Sequence, residues 1–179
     1  MKTKMLIFVF LLGITDLFAQ TLYVPGTIVK GKNASYYCSS ENEIFIKVNN
    51  VNNVDTTTTM YYDDGTVVPF DVGSAVIATK TEDLVRVFQE ALTQEEIDIL
   101  KSKITCSLQL DIVTDKQGNT LEITFRLRNY DPVMTKFDPD RLYQLEQNLK
   151  KVLKLNPSKA DSSIKNMKYF LPISYKDLK

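Results

Sequence analysis

Among its 179 residues the chain has no histidine, and that one absence removes histidine-based nucleophilic triads, imidazole general bases and histidine-ligated zinc together. Glycine and proline are sparse, at six each. No glycine-rich loop of the kind that cradles phosphate is present, and no proline-rich stretch makes a stiff spacer. The Asp and Glu residues fall in turns, helix caps and helix faces, where a structural role accounts for them, so paired-carboxylate catalysis has no signature here. The acidic group Glu90, Glu95, Glu96 and Asp98 lacks the spacing of a cation cage and reads as a solvated face. The expectation is a non-enzymatic chain with no cofactor and no metal. A thiol nucleophile is excluded on the same ground, since there is no histidine to activate it.

Long hydrophobic runs are also missing. Lys2 and Lys4 precede a single apolar run from Met5 to Ile14, and Leu17-Phe18-Ala19 then offers a small residue before Gln20, which is the pattern of a cleaved secretory signal. Followed by Thr15 and Asp16, that run is too short to span about 30 Å of hydrocarbon. The mature chain is therefore expected to begin near Gln20, to carry no stable membrane span and to be periplasmic or secreted. Export permits a disulfide, and Cys38 with Cys106 is the one pair available. The other reading is a buried free thiol at Cys106.

The net charge of zero hides an asymmetry. Residues 101–179 hold 15 Lys/Arg against 9 Asp/Glu, whereas residues 20–100 hold 5 against 12. Two halves that complement each other within one molecule account for this. A nucleic-acid partner is excluded, because the chain is exported and has neither an Arg-rich run nor an aromatic-basic platform.

Turning to what is there, Ile104, Cys106, Leu108, Leu110 and Ile112 alternate with polar residues, and Leu121, Ile123, Phe125 and Leu127 do the same. Each run reads as a half-buried strand. Between them Asp115-Lys116-Gln117-Gly118-Asn119 supplies turn chemistry, so a hairpin is expected. Asp138 is placed to cap a helix with Pro139 at its first position and a Phe137–Leu142 staple; Leu142, Leu145, Leu149, Val152 and Leu153 form its apolar stripe. A final strand, Met167–Tyr175, carries Pro172, which suits a free edge.

Upstream, Thr21–Phe70 is rich in short β-type runs and turns. Tyr36, Tyr37, Tyr61 and Tyr62 in that region are the candidates for stacking against a glycan. Thr79 with Glu82, and Thr93 with Glu96, are spaced as capping boxes of two further helices.

Short helix, hairpin, long helix, strand is the element order of the C-terminal domain of TonB-type energy transducers, and three segments resemble that family. Asp115-Lys116-Gln117-Gly118-Asn119 is similar to its hairpin turn, Leu155-Asn156-Pro157-Ser158-Lys159-Ala160 to its post-helix segment, and Leu171-Pro172-Ile173-Ser174-Tyr175 to its terminal strand. The whole chain also resembles small exported proteins of unknown function. The TonB resemblance implies a fold and the binding of an extended segment of an envelope protein. It does not imply energy transduction, because the spacer is missing and Ser163-Ile164-Lys165 stands where that family often has Gly-x-Pro.

The expected architecture is α+β. An antiparallel three-stranded sheet carries helices on one face, and a β-rich N-terminal half is attached to it. The segments are 1–19 (signal), 20–78 (β-rich) and 79–179 (helical connector and TonB-C-like domain). A right-handed crossover brings the last strand beside the first hairpin strand. Lys168, Phe170, Pro172 and Ser174 on its outer edge are the candidate peptide-binding residues, and a glycan on the tyrosines is the alternative ligand.

Overall fold

The computed structural model describes residues 21–54, 59–70, 73, 75–102, 107–159 and 161–178. In chain order these form β1 (Ile28–Lys30), β2 (Ser35–Ser40), β3 (Phe45–Asn50), β4 (Ala75–Ile77), α1 (Thr81–Ala91), α2 (Gln94–Ser102), β5 (Ser107–Thr114), β6 (Thr120–Arg128), α3 (Pro139–Val152), β7 (Leu155–Pro157) and β8 (Met167–Ser174). The expected three-stranded arrangement is present as β6-β5-β8, with the last strand antiparallel to the first hairpin strand. It does not stand alone. The free edge of β6 pairs with β3 from Phe45 to Asn49, and β2 and β1 continue outward, giving one six-stranded antiparallel sheet in the order β1-β2-β3-β6-β5-β8. β1, β2 and β3 of the β-rich half are thus part of the same sheet. β4 forms a separate two-stranded ribbon with β7.

The alternation in sequence becomes one buried face. In register, Val48 lies opposite Phe125, Phe125 opposite Leu110, and Leu110 opposite Leu171, all fully or almost fully buried. α3 covers this face. Its start follows the sequence signals closely: the Asp138 carboxylate accepts from the Asp140 and Arg141 N–H groups, Pro139 occupies the first turn, and Leu142, Leu145 and Leu149 are completely buried. The hairpin turn is held by Asp115 Oδ1, which accepts from the Gln117 and Asn119 N–H groups at 2.9 and 2.8 Å. Gly118 within it has φ +78°, and a Cβ there would stand 1.7 Å from the Leu155 carbonyl oxygen. Only glycine satisfies both the conformation and the close approach of β7.

The two capping boxes meet different fates. Thr93 and Glu96 form theirs: the Thr93 N–H donates to Glu96 Oε2 at 2.7 Å and the Glu96 N–H donates to Thr93 Oγ1 at 3.2 Å. Thr79 does not cap α1. Its hydroxyl donates to the Val152 carbonyl and accepts from the Lys154 N–H, both at 2.7 Å, and α1 begins after Lys80 without a side-chain cap. A tertiary partner at the end of α3 has taken the threonine that local spacing assigned to the helix.

Charge complementarity between the halves is visible in three pairs that join an acid of the first half to a base of the second: Asp63 with Lys116, Glu41 with Arg126, and Glu96 with Arg141. The last also binds helix ends together, because Arg141 donates to Glu96 through both terminal nitrogens and to the Ala91 carbonyl that ends α1, while stacking on Phe137. Burial alone would raise the Glu96 carboxyl. The hydrogen bonds from Arg141 and Thr93 outweigh it and hold the group below the ordinary glutamate range. A depressed folded value means stability that is complete above the unfolded pKa and lost as pH falls through the folded one. In urea unfolding between about pH 6 and pH 3, the wild-type chain should lose more stability on acidification than Glu96→Gln. Equal losses would show that the pair carries no pH-dependent stability.

Candidate functional site

β8 is an edge strand, so half of its backbone groups face away from β5. The sense of that alternation is set at Lys168, whose carbonyl accepts from the Gly73 N–H at 2.8 Å and whose N–H reaches Met60 Sδ at 3.3 Å. This start of the strand is covered. By the same alternation Phe170, Pro172 and Ser174 turn their backbone groups outward. No strand among the described residues pairs with them on that side. Pro172 presents a carbonyl only. Of the four expected edge residues, one is thus engaged by the chain itself and three define the exposed stretch.

Beside that stretch runs a groove of about 160 Å³, walled by α1 through Leu84, Val85 and Phe88, floored by Leu171 and Ile173, and closed by Ile77 and Leu178. A groove of that size takes individual apolar side chains. Asp131, which is buried, holds the turn that follows β8 through Tyr175. Asp131 accepts from the Val133 and Met134 N–H groups and from the Tyr175 hydroxyl at 3.0 Å. Burial pushes the Asp131 carboxyl up, and these hydrogen bonds offset only part of that rise.

On the opposite face of the sheet Phe170 projects beside Arg126, whose guanidinium lies 5.3 Å from the Phe170 ring and 5.8 Å from that of Phe45. Arg126 is neutralised by Glu41 and Asp111, and Lys47 joins the same acids. Although its partial burial acts the other way, Arg126 and Lys47 hold the Glu41 carboxyl below its usual range. The edge therefore separates an apolar groove from a charge-balanced open face.

The remaining expected residues do not converge on a site. Tyr36 is completely buried, its hydroxyl donating to Glu146 at 2.8 Å, while Tyr37 is exposed on the other face of β2. Tyr61 bridges to Val67 and Tyr62 to Ile164, beside β8. β2 and β8 stand four strand steps apart, roughly 19 Å, so the four tyrosines make no common stacking surface. Strand alternation within Tyr36-Tyr37 sends one ring inward. Cys38 is a free, buried thiol, pushed up by that burial, and its expected partner Cys106 lies outside the described residues. The signal segment 1–19 also lies outside the described residues. Among the described residues no helix is long and apolar enough to cross a membrane, and no group of three or more His, Cys, Asp or Glu side chains could hold a metal ion.

One residue escaped the sequence reading altogether. Glu146 is completely buried and accepts from Tyr36 Oη, Asn50 Nδ2 and Lys150 Nζ at 2.8, 3.0 and 2.6 Å. Its signal was its position, four residues after Leu142 and three before Leu149, on the stripe that faces the sheet.

Fold and site together define an α+β protein whose helices line one face of a six-stranded antiparallel sheet, with an apolar groove along one edge strand. The chain is similar in structure to a DUF5043 family protein from Bacteroides uniformis ATCC 8492, with TM-score 0.69 and 17% identity over 87% of this chain and 88% of that one. At that identity the likeness concerns the fold alone. No protein-family model and no curated protein matches the chain.

Proposed function

We propose that the chain is an exported, non-enzymatic adaptor that takes up an extended segment of an envelope protein as an additional strand on β8. The observation that carries this reading is the outward stretch Phe170–Ser174 lying directly beside an apolar groove. Strand addition uses those two parts for different purposes: main-chain hydrogen bonds give affinity, and pockets for alternate side chains give selectivity. The resemblance of the hairpin turn, post-helix segment and last strand to TonB-type C-terminal domains points to the same mode of binding.

An isotope-labelled sample of residues 20–179, titrated with a capped peptide of alternating Thr and Val, tests the reading. Amide shifts should concentrate at Phe170, Leu171, Ile173 and Ser174. Shifts confined to Tyr36–Tyr62, or none anywhere, would overturn it. Intact mass of material recovered outside the cytoplasm tests export, since a mass that still includes Met1–Ala19 contradicts a cleaved signal.

A further inference from the structure

We propose that the segment bound at β8 runs antiparallel to it and carries basic residues on the N-terminal side of two apolar residues at alternate positions. This rests on the strand-addition reading and adds the ligand's chemistry and direction. Direction follows from the ladder: every pairing in the sheet is antiparallel, and antiparallel ladders are slightly more stable per residue than parallel ones.

Facing residues of an antiparallel pair share a side of the sheet. Ligand residues opposite Leu171 and Ile173 then point toward the groove side, where Leu84, Val85 and Phe88 wait, and must be apolar. Residues opposite Phe170, Pro172 and Ser174 point to the open face and are free to be polar. The residue facing Pro172 donates one hydrogen bond to its carbonyl and receives none, so the alternate side chains matter more here than on an uninterrupted edge.

The basic residues follow from the groove's open end. Past Ser174 it continues into a recess between the first turns of α1 and the turn after β8, lined by Thr81, Glu82, Val85, Gln89 and Asp177. No Lys or Arg lines either the groove or the recess. Neither Glu82 nor Asp177 enters an ion pair among the described residues. This acidic mouth lies beyond the C-terminal end of β8. An antiparallel ligand brings its own N-terminal side there, which places the positive charge before the apolar pair.

Three capped peptides separate the elements of this inference: Lys-Lys-Thr-Val-Thr-Val-Thr, its counterpart with Glu-Glu at the start, and the reordered Thr-Val-Thr-Val-Thr-Lys-Lys. Each is titrated into labelled residues 20–179 at low salt. The first should bind at least tenfold more tightly than either of the others, and added salt should erode its advantage. The exposed double variant Glu82→Lys, Asp177→Lys should abolish the preference while leaving the fold, checked by circular dichroism, unchanged. Equal affinities for the Lys-Lys and Glu-Glu peptides, with shifts still at Phe170–Ser174, would overturn the basic requirement and leave strand addition standing. Equal or tighter binding of the reordered peptide would overturn the direction. Absence of β8 shifts with all three would overturn strand addition itself.

Discussion

Glu146→Ala is expected to cost about 3–5 kcal/mol of folding stability, the range for removing one partner from a buried charged network. The carboxylate has no solvent exposure and accepts three hydrogen bonds, two of them from the buried Tyr36 and Asn50 of β2 and β3. Those donors come from the N-terminal half of the chain and the acceptor from α3, so the network fastens the extension of the sheet to the helix. Truncation leaves a buried hydroxyl and a buried amide unsatisfied, each worth about 1–3 kcal/mol. Lys150 suffers less, because its side chain is 20% exposed and can turn to water. Urea unfolding at neutral pH measures the loss. Glu146→Gln, which keeps an acceptor of the same shape, should recover part of it. A loss below about 1 kcal/mol for the alanine variant would show that the network does not hold the helix on the sheet.

Leu149→Ala should cost about 2–5 kcal/mol, and Leu145→Ala a similar amount. Both side chains are completely buried on the α3 stripe that packs on the sheet. The loss has two parts, the transfer of the removed atoms and the cavity left behind, and the second is large where neighbours cannot collapse. Here the opposing surface is a hydrogen-bonded sheet whose register is fixed on both sides of β6, which limits relaxation. Denaturant midpoints with an unchanged m-value would report stability alone. Values under about 1 kcal/mol would mean that the stripe is not core.

The site was legible in part. Pro172 in an alternating last strand marked an edge, because a missing donor is tolerated only where no neighbour needs it, and the antiparallel hairpin with one crossover placed that edge beyond β5. Nothing local in the sequence marks the approach of Gly73 and Met60 to Lys168, because both come from far upstream. The groove was invisible for the same reason: its walls, Ile77 to Phe88 on one side and Leu171 to Leu178 on the other, are distant in sequence.

Local chemistry determined what short-range physics can determine. Period-two alternation defined β5, β6 and β8, Asp138 and Pro139 started α3, and Asp115 and Gly118 closed the hairpin. Only the tertiary structure decided which strand would take the free edge of β6. Periodicity says that a strand has a buried face but not which neighbour it pairs with, so β3 was free on paper and paired in fact. Tertiary structure likewise drew Thr79 from its cap to Val152 and turned Tyr36 inward to Glu146. In both cases a polar group whose local role was satisfactory found a partner that folding brought from far along the chain, and a hydrogen bond made in the interior outweighs one shared with water.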